Sequence, residues 1–185
     1  MASFSDVTLQ TPRLILRPLA PPDADAVFAM RSDPAVQRYG SHAAWTDPQL
    51  AIDYIERNIR EMAAGAHIQL AVVRRADAAV IGTVTLYALD AQCRRADAGY
   101  ALLVSEWGQG YAGEAVTALL DWGFEHLDLN RVEADVDPRN APSARLLERL
   151  GFFREGLLRE RWIVDGEICD SWIYGLLRAD WQARK

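Results

Sequence analysis

The sequence predicts a mixed α+β fold in one domain, a central, twisted and mostly antiparallel sheet flanked by helices, in the element order βααβββαβαββ. Three observations carry this. Hydrophobic periodicity alternates between helical and strand-like along all 185 residues with no repeat, linker or low-complexity stretch, so residues 1–185 read as a single domain. Between 67 and 104 three strand-like runs are joined by polar links too short for crossover helices, which implies an antiparallel meander. Near the C-terminus, Asp165–Gly166 separates two strand-like runs and marks a two-residue hairpin.

In chain order, "RLILRPL" (13–19) has the alternation and β-branched content of a first strand, and "APPDADAVFAMRS" opens a short helix with prolines and aspartates. In "AAWTDPQLAIDYIERNIREMAAG", Thr46 and Gln49 have capping-box spacing, Ile52, Ile55, Ile59 and Met62 recur at helical intervals, and Gly65 closes the segment. The meander strands are "HIQLAVVRR", "AVIGTVTLYAL" and "RADAGYALLV". The segment 111–127 gathers Ala112, Ala115, Val116, Leu119, Leu120 and Leu127 on one helical face, and "RVEADVD" is a strand with Val132, Ala134 and Val136 to one side. Asn140 then caps "APSARLLERL", which Gly151 terminates. Counting outward from the final hairpin turn places Val164 opposite Glu167 and Arg161 opposite Asp170.

Composition narrows the function. A net charge of −6 disfavours nucleic acid as a partner and weakly favours cationic partners such as amines. No apolar run approaches a membrane span and the N-terminus lacks the pattern of a signal peptide, so a cytoplasmic protein without a membrane partner is expected. Cys93 and Cys169, and His42, His67 and His126, match no metal-ligand spacing, and no metal is expected.

The segment "EWGQGYAGEA" contains Gly108, Gly110 and Gly113 in G-x-G-x-x-G spacing. A dinucleotide-binding turn follows its strand almost directly and opens a βαβ domain, whereas here Ser105, Glu106 and Trp107 intervene and a meander precedes. What survives is the general physics: a glycine-rich turn entering a helix aims backbone N–H groups and the positive end of the helix dipole at one spot, which suits an anion.

Together, "GYALLVSEWGQGYAGEA" and "NAPSARLLERLGF" resemble the coenzyme-binding strand, pyrophosphate loop and Asn-x-x-Ser helix of GNAT N-acetyltransferases, in particular the RimJ/RimL-like branch. "LQTPRLILRPLAPPDADAVFAMRSDPAVQRY" and "REGLLRERW…DSWIYGLLRADW" are similar to that branch's two ends, so the resemblance spans nearly the whole chain. One departure is Trp107, where the superfamily's loop usually opens on Arg or Gln.

The resemblance implies the GNAT acyl-CoA N-acyltransferase fold and acetyl transfer from acetyl-CoA to a primary amine, without metal. The acceptor would be a protein N-terminus or a small molecule, and the enzyme a monomer or homodimer. It places the pyrophosphate over Gln109, Gly110, Tyr111, Ala112 and Gly113, with Trp107 and Gly108 also among the coenzyme-binding residues, and the pantetheine arm along Leu102, Leu103 and Val104, with Asn140 as a further partner. Ser143 would serve the leaving thiolate and Asp97 would act as base through water, with Glu133 as the alternative carboxylate. Tyr39, Trp45, Trp162 and Asp165 are candidates to line the acceptor pocket. A silent acyl-CoA-binding module of the same fold is the competing expectation, disfavoured by the presence of Ser143.

Overall fold

In the computed structural model, which describes residues 3–184, the chain opens with β1 (Leu9–Gln10), β2 (Leu14–Pro18), α1 (Ala24–Ser32), α2 (Pro34–Gln37) and α3 (Gln49–Ala63). The meander β3 (Ile68–Arg74), β4 (Val80–Asp90) and β5 (Arg95–Leu102) follows, then α4 (Tyr111–His126), β6 (Arg131–Val136) and α5 (Ala141–Arg149). The hairpin β7 (Phe153–Val164) and β8 (Glu167–Leu177) and the short α6 (Arg178–Gln182) complete it. Without the short β1, α2 and α6 the order is the expected βααβββαβαββ. The strands form one eight-stranded sheet, β1-β2-β3-β4-β5-β6-β8-β7, antiparallel at every junction except β5–β6.

Two cores sandwich the sheet. On one face Leu14, Leu16, Leu70, Val84 and Leu86 pack beneath α4 and α5, with Leu119, Leu120 and Leu147 pointing down from those helices. On the other face Ala71 and Val73 meet Val27 of α1 and Ala51 and Ile55 of α3. Fully burying one such aliphatic side chain contributes about 1.5–3 kcal/mol, so these faces fix where the helices lie. Gly65, at φ 73°, ends α3 in a Schellman motif, its N–H reaching Met62 O while Ala66 N–H reaches Glu61 O.

Three local expectations are corrected. No capping box forms at Thr46: Asp47 accepts from Gln49 N–H at 2.9 Å, and the Gln49 side chain turns forward to Asp53. The apolar stripe of α3 is split, with Ile55 and Met62 buried and Ile52 and Ile59 exposed. The buried arc instead runs through Ala51 and Asn58; the Asn58 amide nitrogen donates to Gln69 Oε1 at 3.0 Å, a partner that an apolar pattern cannot anticipate. In the final hairpin Val164 does face Glu167, but the ladder shifts between Trp162 and Leu158. Asp170 accepts from Glu160 N–H at 2.8 Å there, and Arg161 lies 3.7 Å from Asp135 rather than pairing with Asp170.

Candidate active site

The site begins where β5 and β6 part. They pair in parallel only at Arg95–Arg131, Ala96–Val132 and Asp97–Glu133. Beyond that, β5 stays with β4 through Leu102 while Ala134–Val136 of β6 stay with β8, and a wedge opens between them. Leu103 N–H donates to Ile81 O, so by alternation the backbone groups of Ala98, Tyr100 and Leu102 face away from β4 and into the wedge. Leu103 is thus committed to β4, and Val104 already lies in the 3-10 turn Val104–Glu106. The edge open to an added partner runs along Ala98–Leu102, displaced toward the strand's centre from the expected Leu102–Val104. The Trp107 indole caps the last wedge-facing carbonyl, its Nε1 donating to Leu102 O at 2.9 Å.

The glycine loop lies at the mouth of this wedge. Gly108 and Gly110 have φ of 75° and 81°, the left-handed region that side chains resist. Gly110 is the N-cap of α4, and the first helical bond is Glu114 N–H to Gly110 O at 3.1 Å. The N–H groups of Tyr111, Ala112 and Gly113 therefore have no acceptor within the helix. The loop is braced from both sides: Gln109 Nε2 turns back to Ser105 O at 2.9 Å, while Arg13 Nη1 donates to Gln109 O at 2.9 Å. Arg13 also pairs with Glu114 at 2.6 Å and stacks 4.5 Å from the Tyr111 ring centroid, bringing a cation from β2's entrance to the helix N-terminus. An open groove of about 490 Å³ continues from the loop between α4 and α5, lined by Gly110, Gly113, Thr117 and Arg149 among others.

On the α4–α5 side of the wedge, Asn140 Oδ1 accepts from Ser143 N–H at 3.2 Å, the expected cap. Ser143 Oγ lies 2.6 Å from Tyr100 Oη, a relation the sequence reading missed. Burial pushes the Tyr100 phenol up to about 12 despite its bond to Ser143, so it is a neutral donor. Either hydroxyl can donate in this bond; with the phenol donating to Ser143 Oγ, the serine proton is free for another acceptor. The strand alternation of "GYAL", with Tyr100 on the same side as Leu102, was the available signal.

The opposite face carries Asp97 and Glu133 side by side, then Asp135, with Tyr87 directly across from Asp97. Burial raises the pKa of Asp97, and the negative charges of Glu133 and Asp135 add to this against the counter-pull of Arg95. Asp97 Oδ1 is buried without a hydrogen bond, and its nearest cation is Arg95 Nη1 at 3.6 Å. Glu133 behaves oppositely: burial works against its charge, but hydrogen bonds from Arg131 and Arg95 outweigh that and hold its pKa low. Of the two expected carboxylates, only Asp97 is thus shifted toward holding a proton more readily than a free carboxylate. Burial, with Asp97 and Asp135, pushes Tyr87 up to about 12.

Of the residues expected around the acceptor, Trp162 donates to both oxygens of Asp135 at 3.2 Å and so reaches this face. Trp45 packs on Tyr54 instead, and Asp165 stays in its hairpin turn at φ 50°. Tyr39 stacks under Arg139, 5.8 Å from its ring centroid, and Arg139 in turn binds Asp137 at the end of β6.

The family model described as "Acetyltransferase (GNAT) domain" matches residues 13–153. The chain is 38% identical over 174 residues to Bacillus licheniformis p20, described as an uncharacterized N-acetyltransferase, covering 94% of this chain and 98% of that protein. It is 32% identical over 83 residues to the Escherichia coli [ribosomal protein uS5]-alanine N-acetyltransferase, covering 45% and 43% of the two chains. A crystal structure of a GNAT-family acetyltransferase from Bacillus anthracis superposes with a TM-score of 0.82 at 23% identity, covering 92% of this chain and 98% of that one, a likeness of fold.

Proposed function

The chain belongs to the acetyltransferase (GNAT) family, and we propose that it transfers an acetyl group from acetyl-CoA to a primary amine, a protein N-terminal α-amine or a small-molecule amine, by direct attack on the thioester. The observation that carries this reading is the wedge itself: it joins the anion-suited loop at Gly108–Gly113 to Ser143 on one side and Asp97 on the other. The uS5-alanine acetyltransferase among the relatives supports an α-amine acceptor.

In this reading the pyrophosphate takes the free N–H groups of Tyr111, Ala112 and Gly113, and the nucleotide follows the groove toward Arg149. The pantetheine arm pairs with the wedge-facing edge of β5, near Asn140, and a backbone N–H at Tyr100 or Leu102 polarises the acetyl oxygen. The neutral amine nitrogen attacks the carbonyl carbon from the Asp97 side. Its surplus proton passes through water to Asp97, the C–S bond breaks, and the Ser143 hydroxyl, polarised by Tyr100, supplies the hydrogen bond or proton to the thiolate.

Deprotonating an α-amine at pH 7 costs about 1–1.4 kcal/mol against about 4.6 kcal/mol for a lysine side chain, so one modest base suits the α-amine. The test is thiol release from acetyl-CoA across a panel of peptide N-termini and small amines, with acetylated product identified by mass. Saturable, amine-dependent release is expected. Acetyl-CoA binding with no release for any amine would reject the reading.

A further inference from the structure

The sheet face under α1 and α3 carries a cationic and aromatic cluster that the reaction above does not use. Tyr54 of α3 is fixed at its hydroxyl, which receives Gln69 Nε2 and, at 3.1 Å, Arg31 Nη2. Gln69 is held in turn by Asn58 at 3.0 Å, and Asn58 by His67 at 2.9 Å. The guanidinium groups of Arg31 and Arg57 lie 5.3 and 5.6 Å from the Tyr54 ring centroid. Trp45 meets the same ring edge-on at 5.5 Å, with Arg31 6.0 Å from its own centroid. Desolvation, and then the charges of Arg31 and Arg57, lower the pKa of the neighbouring His42.

Among the described residues no carboxylate lies within 4.0 Å of Arg31 or Arg57, and Arg31 Nε is buried with no partner. Elsewhere the half-buried arginines Arg17, Arg95 and Arg131 each hold a carboxylate. Withdrawing a guanidinium from water without a counter-charge is costly, so a site that keeps one in place is suited to an incoming anion.

The cluster also has a fixed relation to the wedge. Gln69 faces Thr85 on β4, which faces Gly99 on β5, and Asp97 follows on the same face. Two strand spacings of about 4.8 Å put Gln69, the strand residue that holds Tyr54, about 10 Å from Gly99 at the wedge edge. An extended peptide advances about 3.3–3.6 Å per residue, so roughly three residues span that distance. The face is thus polarised by Asp97 near the wedge, since Arg95 and Arg131 already match Glu133, with Arg31 and Arg57 farther out. That polarity matches an acceptor with an ammonium group at one end and a carboxylate beyond it.

We propose that Arg31 and Arg57, backed by Tyr54 and Trp45, seat a carboxylate of the acceptor: an acidic side chain about three residues along an extended peptide whose N-terminus reaches the wedge. This deepens the reading above and rests on its placement of the reacting amine. The test uses peptides with a free N-terminus and a C-terminal fluorophore, identical except for Glu, Gln or Lys at the third position. Affinity is read by anisotropy, and thiol release from acetyl-CoA is measured separately. The Glu peptide should bind about tenfold more tightly than the Lys peptide, the scale of one charge-assisted contact, with Gln between them. Arg57→Glu, an exposed change checked by a thermal melt, should abolish or invert that order. Equal affinities, or binding of none of the three, would overturn the proposal. A charge preference without thiol release would uphold the seat and count against the reaction instead.

Discussion

Tyr100 Oη and Ser143 Oγ stand 2.6 Å apart, bridging the end of β5 and the first turn of α5 across one side of the wedge. If this pair serves the leaving thiolate, its effect grows as negative charge develops. Ser143→Ala should then lower kcat and kcat/KM together, by a hundredfold or more for a donor worth about 2.7–4 kcal/mol, with acetyl-CoA affinity nearly intact. Tyr100→Phe should lower kcat less, because the serine remains but its proton is no longer directed. The double variant should be no worse than Ser143→Ala alone, since the two act as one unit. Steady-state kinetics with a melt of each variant decide this, and near-wild-type kcat in a folded Ser143→Ala would remove the serine from the mechanism.

Asn140 has two separable jobs. As the N-cap of α5 its loss to alanine should cost about 0.5–2 kcal/mol, whereas glycine at an N-cap costs only a few tenths. Asn140→Gly should therefore melt close to wild type yet bind acetyl-CoA more weakly if the side chain also meets the pantetheine arm. Calorimetry and thermal melts measured together separate cap from contact. Unchanged affinity for the glycine variant would leave Asn140 a cap alone.

Asp97 should trade stability for activity. Its folded pKa is raised, chiefly by burial, above the value in the unfolded chain. Such a group favours folding relative to its ionised state only while protonated. That contribution is fully present below the unfolded pKa and is lost as pH rises through the folded pKa. At pH 7.5, above the unfolded value, that contribution is reduced or lost, and Asp97→Asn should melt higher than wild type while losing kcat. The gain in Tm should shrink as pH is lowered toward 4. A variant that melts lower at pH 7.5 would contradict the electrostatics described for this residue.

The loop offers a paired comparison. Gly110 sits at φ 81°, where valine is strained by about 1–2 kcal/mol and its Cβ would lie 3.4 Å from Nη2 of Arg13, the side chain that braces the loop. Gly110→Val should weaken acetyl-CoA binding tenfold or more in a protein that still folds. Gly156, where an added Cβ meets nothing within 4 Å, is the control, and Gly156→Ala should leave affinity unchanged. Equal affinities for the two variants would place the phosphates elsewhere.

Much of the fold could be read from residue patterns. The parity of Val132, Ala134 and Val136, the Asn140 cap and the Gly151 terminator all act within a few residues, where local geometry governs. What escaped was set by distant partners. Asn58 is polar yet buried because its amide nitrogen reaches Gln69 and His67, although its Oδ1 is left without a partner, so the buried arc of α3 was displaced from the isoleucine stripe. The ladder shift that separates Arg161 from Asp170 comes with a left-handed residue, Glu160 at φ 53°, which carries no glycine to announce it. The loop and Ser143 were visible as a motif. The wedge depends on β5 and β6 pairing in parallel for a short length and then diverging, and neither strand encodes that alone.

The central claim is that the wedge carries an acetyl group from a thioester directly to an amine. Its most direct test is a single-turnover reaction of excess enzyme with acetyl-CoA and one peptide α-amine, quenched over time, with free thiol, peptide mass and intact enzyme mass followed together. Acetyl-peptide should appear in step with free thiol, with the enzyme's mass unchanged throughout. Thiol released ahead of acetyl-peptide with a transient acetylated enzyme would contradict direct attack, and coenzyme bound with no acetyl-peptide formed would contradict the transferase itself.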